Sequence, residues 1–235
     1  MSFRWFLIPT CILINFSNVD GQTLGFYGGA GASYDGFIQD KNVSAATPPK
    51  KFLATAVAVA GLRYHTTQTF DLIFDASLGI TRIELPTTKE ANTRLQYEQI
   101  QSLIMIGSGL SLPIRDKATL MPYIQIGASF FDYWDLVEQG NNSYYSSNYK
   151  TDLKTNHWSL VCAAGLDYQF KLFLSSGLNF RCVYTPINIF ETPISYSMST
   201  RSGVEDYKVQ GKLLQFQLTY RVNLPIAKWK DDYDY

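Results

Sequence analysis

Between His157 and Tyr184 apolar and polar residues alternate one by one. Trp158, Leu160, Cys162, Ala164, Leu166 and Tyr168 fall on one side. His157, Ser159, Ala163, Gly165, Asp167 and Gln169 fall on the other, with Val161 the one larger apolar residue among them. After a short break, Leu174, Leu178, Phe180, Cys182 and Tyr184 alternate with Ser175, Gly177, Asn179, Arg181 and Thr185. A period of two belongs to β-strands. The break leaves room only for a tight turn, so the two arms predict a hairpin. Each arm has about ten residues, the length a tilted strand needs to cross a membrane. Trp158, Tyr168 and Tyr184 sit near the ends of the apolar face, where amphipathic rings meet a membrane–water boundary. This pattern fits a transmembrane barrel and, taken alone, fits a hairpin of a soluble sandwich or barrel equally well.

The same period recurs along the chain. Leu24, Phe26, Ala30, Ala32 and Tyr34 alternate with Gly and Ser in the first predicted strand. Ala54, Ala56, Ala58, Ala60, Leu62 and Tyr64 oppose Thr55, Gly61, Arg63 and His65 in the second. In the third, Phe70, Leu72, Phe74, Ala76, Leu78 and Ile80 oppose Asp71, Asp75, Ser77, Gly79 and Thr81. Arg94 to Leu112 predicts a fourth strand whose facing stays open, because both parities mix polar and apolar residues. The fifth sets Leu120, Pro122, Ile124, Ile126, Ala128 and Phe130 against Tyr123, Gln125, Gly127 and Ser129. The hairpin supplies the sixth and seventh. The eighth sets Leu214, Phe216, Leu218, Tyr220, Val222 and Leu224 against Gln215, Gln217, Thr219, Arg221 and Asn223, and Pro225 is expected to end it.

Turn and loop residues fall between these strands in an alternating order, long then short. The long connections read as polar loops: Asp40–Lys51, Glu84–Thr93, Asp135–Thr155 and Pro186–Lys208. An all-β, eight-stranded antiparallel transmembrane barrel with short periplasmic turns and long extracellular loops accounts for this layout. A lipocalin-like soluble ligand-binding barrel is the alternative, with its apolar faces turned inward.

Composition narrows the reading. The chain has 235 residues, with 20 basic and 20 acidic side chains, so net charge points to no nucleic-acid partner. Charged residues make up 17%, below the usual quarter, and mean hydropathy is near neutral at −0.08, so helical spans are not expected. Residues 1–21 read as a signal peptide: Arg4, an apolar run from Trp5 to Phe16, then Val19 and Gly21 before the cleavage point. Cys11 lies in the apolar run without a lipobox before it. The predicted organisation is signal peptide 1–21, barrel 22–226 and charged periplasmic tail 227–235, placing the mature chain in a bacterial outer membrane.

YEQIQSLIMIGSGLSL (97–112), followed by MPYIQIGASF (121–130), resembles the central hairpin of the Bacteroidota outer-membrane β-barrel family, the PorT-type porin-family proteins. CAAGLDYQFKLFLSSGLNFRCVY (162–184) resembles that family's next hairpin, and FQLTYRVNL (216–224) its closing strand. Gln101 and Ser102 stand where the family often has Pro, and the chain continues past the closing strand. The resemblance implies an outer-membrane barrel without shared catalytic residues. It also implies, as an alternative role, an accessory in type IX-like secretion or transport.

No spacing of His, Cys or acidic residues suggests a catalytic or metal site, and no cofactor is expected. His65 falls at a turn and His157 at a loop edge. The chain is expected to be non-enzymatic, with a structural, surface-interaction or adhesive role. Its expected partners are membrane lipid and an extracellular ligand or protein at the long loops, where Tyr133, Tyr144, Tyr145 and Tyr149 cluster. The polar faces define the candidate site. Arg63, Asp71, Asp75, Gln125, Asp167, Asn179, Arg181, Gln215, Gln217 and Arg221 should point inward as a network of ion pairs and hydrogen bonds. Arg63 and Asp71, on adjacent strands, are the first expected pair. Cys162 and Cys182 are expected to lie opposite one another if a turn at Lys171–Phe173 pairs Phe170 with Leu174. Opposite Cβ atoms lie ~4.5–5.5 Å apart whereas a disulfide prefers ~3.8 Å, so adjacency is the firmer expectation.

Overall fold

The computed structural model describes residues 23–39, 46–47, 53–66, 69–85, 87–88, 95–115, 118–131, 135–139, 147–151, 154–155, 157–171, 175–198 and 204–228. The expected signal peptide, with Cys11, lies outside these residues, as does the tail from 229 onward.

Eight long strands carry the fold: β1 (Thr23–Gln39), β2 (Leu53–His65), β3 (Phe70–Leu85) and β4 (Leu95–Leu110). They continue as β5 (Ala118–Phe131), β6 (Trp158–Lys171), β7 (Ser175–Tyr184) and β8 (Val204–Lys228). Each pairs antiparallel with its successor. β1 also pairs with β8, from Thr23↔Lys228 to Gln39↔Gly211, so the sheet closes on itself. Closure leaves no unpaired barrel edge, the condition for a sheet to sit in lipid. Every strand reaches the length that a membrane crossing needs, from the 10 residues of β7 upward.

The alternation holds in all eight strands, and their buried positions carry odd numbers, Gly36 and Ser176 excepted. On the outside Phe74, Leu78, Ile106, Ile124, Leu160, Leu178, Phe180 and Leu218 are exposed, Ile124 at 67%. Leu72 and Phe216, on the same outward face, are partly covered. A band of this extent, wrapped round a polar interior, is suited to lipid and would be a large aggregation-prone surface in water. A lipocalin-like barrel requires the reverse facing, so that reading is corrected. Trp158 and Phe130, directly paired, stand at the long-connection end of this band, and Phe26 and Tyr168 lie nearer the short turns.

β4, whose facing the sequence left open, turns Tyr97, Gln99, Gln101, Leu103 and Met105 inward, and Ile100, Ile104 and Ile106 outward. Its mixed pattern arises because the lumen there is partly apolar. Leu103 and Met105 pack with Val161, Ala163 and Val183.

Two boundaries differ from expectation. Pro225 does not end β8. The strand passes it through a bulge, where Gly25 pairs with Pro225 but Leu24 pairs with Ala227, and it runs on to Lys228. Proline, lacking an N–H, is tolerated at such an irregularity. The long connections, read as loops, also contain strands. Phe190–Met198 pairs with the first turns-away residues of β8, Val204–Gly211, and its other edge takes Ser147–Thr151 and Lys154–Thr155. Pro193 sits where that outer pairing is interrupted, between Ile194 and Glu191, so its missing N–H costs no ladder bond on that side. Asp135–Gln139 likewise extends beside Leu95–Glu98 of β4.

The register of the β6–β7 hairpin is also corrected. Lys171 pairs with Ser175, which sets Cys182 opposite Ala164 and Cys162 opposite Tyr184. The cysteines are therefore offset by one same-face step, and both are free. A shift of two residues keeps every side chain on its own face, so the alternating pattern fixes parity and leaves the register to the turn.

Candidate functional site

Among the described residues, the lumen gathers most of the buried charge, and the structure packs it in layers. At mid-height Arg181, on β7, is fully buried. Its Nη1 donates to both carboxylate oxygens of Asp75 on β3, at 3.0 and 3.1 Å. Nη2 donates to Ser77 Oγ at 2.9 Å, and Nε to Gln217 Oε1 at 2.6 Å. Asp75 Oδ2 also accepts from Gln125 Nε2 at 2.9 Å and from the Tyr27 hydroxyl at 3.3 Å. One guanidinium and one carboxylate thus bind β1, β3, β5, β7 and β8 together across the lumen. Multiple donors compensate the heavy desolvation of both charges.

The next layer toward the short turns is built on tyrosines. Tyr27 faces Gly61 across β1–β2, and Tyr123 faces Gly165 across β5–β6. A Cβ at either glycine would come within 2.5 Å of the opposing phenol, so glycine is what lets each ring lie across the lumen. Arg221 stacks over the Tyr27 ring at 4.7 Å and donates from Nη2 to Asn179 Oδ1 at 2.9 Å. The Tyr123 hydroxyl donates to the same oxygen at 2.9 Å. Val59, Ile73 and Met121 fill the space between the rings.

Below lie two acids. Asp167 is ion-paired with Arg63 and accepts from Gln169 Nε2 at 2.8 Å. Asp71 is bonded to His65, directly opposite it in the ladder, and accepts from Ser111 Oγ at 2.6 Å. The expected Arg63–Asp71 pair is therefore corrected. His65, not Arg63, faces Asp71 in register, and the longer Arg63 side chain reaches across the barrel to β6. His65 is accordingly a lumen residue; His157 is exposed.

Toward the long connections the lumen is sealed by uncharged donors round a fourth acid, Asp35 of β1. Asp35 is fully buried. It accepts from Gln215 Nε2 at 2.9 Å, Thr55 Oγ1 at 3.1 Å and the Arg82 backbone N–H at 3.1 Å, with Ser33 Oγ also donating. Gln215 further donates to Gln101 Oε1 at 2.8 Å, and Gln101 Nε2 donates to Ser129 Oγ at 2.8 Å. The void in this layer is about 10 Å³, room for about one water.

All ten predicted polar residues point into the barrel. The sequence reading missed Asp35, Tyr27 and Gln101 as members of the network. Asp35 was recoverable: it follows Tyr34 of the apolar face, so parity alone places it inside. Gln101 was hidden by the ambiguous facing of β4. The arrangement can brace and plug a barrel. Its carboxylates are each held by several donors, which suits charge neutralisation across the lumen.

No family model and no curated protein matches the chain. Among solved structures it is similar to the outer membrane protein OprG from Pseudomonas aeruginosa, with 12% identity and a TM-score of 0.48 over 87% of this chain and 98% of that one. It is also similar to the outer membrane protein AlkL, solved in lipid bilayers, with 14% identity and a TM-score of 0.43 over 92% of this chain and 96% of that one. Ail, the attachment invasion locus protein of Yersinia pestis, solved with a heparin analogue, shows 10% identity and a TM-score of 0.40 over 88% and 100%. These likenesses are distant, and the closed eight-stranded architecture stands on the strand pairing itself.

Proposed function

We propose that the chain is an integral bacterial outer-membrane protein that acts through what it presents above the membrane, in a structural, surface-interaction or adhesive role and without catalysis. The observation that carries this reading is the inversion of a soluble fold: an apolar outer band round a lumen filled with bonded polar side chains. The long connections all leave from one end, and there β8 and its neighbours continue as a paired sheet beyond the barrel. Membrane lipid is the first partner, and an extracellular ligand or protein at this end the second. The resemblance of residues 97–112, 121–130, 162–184 and 216–224 to PorT-type barrels of Bacteroidota belongs to this proposal and brings with it the second reading, an accessory in type IX-like secretion or transport.

Cell fractionation of the full chain tests the reading. The protein should sediment with outer membranes, require detergent for release and run faster on gels unheated than boiled. Protease added to intact cells should cut within the long connections only. Recovery in the soluble fraction without detergent would overturn the membrane assignment. Co-isolation with secretion machinery, lost on deleting the long connections, would favour the secretion role.

A further inference from the structure

Four carboxyls are buried among the described residues, those of Asp35, Asp71, Asp75 and Asp167. Three of them bond a basic side chain: Asp75 to Arg181, Asp167 to Arg63 and Asp71 to His65. Asp35 does not. Its partners are Ser33 Oγ, Thr55 Oγ1, Gln215 Nε2 and the Arg82 backbone N–H, all neutral. The inward groups around them are neutral too, with Thr81 of β3 and Gln101 of β4 both bonded to Gln215. Arg82 of β3 and Lys212 of β8 take outward positions, and Arg82 is paired there with Glu98 of β4. One layer down, Arg181 is committed to Asp75, Ser77 and Gln217.

An anion held only by neutral donors in a closed layer is expensive. The void in this layer is about 10 Å³, so about one water is all that could hydrate the charge. A carboxyl so placed lowers its cost by taking a proton. The neutral acid needs no repacking. Ser33 Oγ lies 2.5 Å from Asp35 Oδ1, a contact that serves with either hydroxyl as donor. Oδ2 keeps Thr55 and the Arg82 N–H. The position is also a junction: β1, β2, β3 and β8 meet on this carboxyl, and Gln215 carries the chain of bonds to Gln101 and Ser129. Its height follows from Arg82. The outward Arg82–Glu98 pair belongs at the headgroups, where charge on a barrel's outer face costs little, and the Arg82 N–H is Asp35's own partner.

We propose that Asp35 is a proton-operated latch of the outer plug: as the neutral acid it seals the layer, and loss of its proton to alkaline surroundings loosens it. The O–H bond broken at Asp35 is matched by one formed on water or hydroxide. The Arg181–Asp75 layer, paired charge to charge, stays closed in both states. Only the side from which the latch is operated rests on the membrane assignment above. The sign follows from linkage. The folded chain holds a proton on Asp35 that the unfolded chain has released, so this residue's contribution to stability falls as pH rises, until Asp35 ionises in the folded state too.

The full chain, labelled with ¹³C and ¹⁵N in lipid nanodiscs, is titrated from about pH 5 to about pH 9, a range that brackets neutrality well above the ordinary carboxylate values. The readouts are the Asp35 carboxyl carbon, which is absent in Asp35→Asn, and the side-chain amides of Gln215 and Gln101. At about pH 7 the Asp35 carbon should carry the shift of a protonated acid, apart from that of the ion-paired Asp75. In alkali it should move together with both amides, on one midpoint. Asp35→Asn, which mimics the neutral acid, should hold the Gln101 and Gln215 amides still across the range. Gln215→Lys sets an ammonium where the amide donated, and should lower the Asp35 midpoint by about one pH unit or more, tenfold in proton affinity. The wild-type titration needs neither variant to fold: an Asp35 carbon already ionised at about pH 7 would overturn the proposal. So would amide shifts that persist in Asp35→Asn, or a midpoint unmoved in Gln215→Lys.

Discussion

Arg181 is where a single side chain matters most. It is fully buried and three of its nitrogens have partners, Asp75 chief among them. Arg181→Met should cost about 3–5 kcal/mol, since it strands the Asp75 carboxylate. Equilibrium urea unfolding in lipid vesicles measures this. Adding Asp75→Asn to that variant should recover more than half of the loss, because an amide without a charge partner is cheaper to bury. A loss no larger than that of Ser77→Ala would contradict the central place given to the pair. At this scale much was legible. Alternation alone turned Asp75, Gln125, Asn179, Arg181, Gln215 and Gln217 inward. The pairing of particular charges was not, because Arg63 spans the lumen to Asp167, a contact 104 residues away that adjacency of strands does not suggest.

Strands obey two rules, face and register, and the sequence encodes them unequally. Face is written by the period of two. Leu160→Arg, Leu178→Arg or Leu218→Arg should each destabilise the barrel by ~2–4 kcal/mol at the membrane midplane, whereas Ser or Thr there should cost far less. Folding titrations in vesicles check the size, and equal costs for Arg and Ser would show that these positions do not meet hydrocarbon. Register is written mainly by turns and long-range pairing. Ala164, not Cys162, opposes Cys182. In a Cys162→Ser background, Ala164→Cys should therefore cross-link to Cys182 under oxidant, read by mass spectrometry of alkylated peptides. The native Cys162 should cross-link much less. Preferential Cys162–Cys182 linkage would restore the register that pairs Phe170 with Leu174. The strands within the long connections were illegible for a related reason. Phe190–Met198 is made a strand by partners on β8, from Val204 opposite Ser197 to Gly211 opposite Phe190, and back at Ser147–Thr151, and a local reading of Pro193 argues the other way.

For the whole molecule, the alternation of short and long connections already implied an even, closed, antiparallel barrel, and the β1–β8 pairing completes it. What the alternation could not supply was how full the interior is. Eight strands enclose a space that side chains just fill. Here they fill it with the phenols of Tyr27, Tyr97 and Tyr123, with Arg63, Arg181 and Arg221, with several glutamines and with an apolar patch on β4, β6 and β7. Among the described residues, an open volume of about 730 Å³ lies at the short-turn end, outside the Arg221 and Tyr27 layer. A barrel built this way has its exterior committed to lipid and its interior to bracing, which leaves its ends to act. Single-barrel recording in planar lipid bilayers tests that claim most directly. With purified full-length chain inserted, as shown by the faster-running unheated band from the same sample, current should stay at the level of the bare bilayer across ±100 mV or so. A steady, ohmic conductance that scales with the number of inserted barrels would show an open path through the Arg181–Asp75 layer and contradict it.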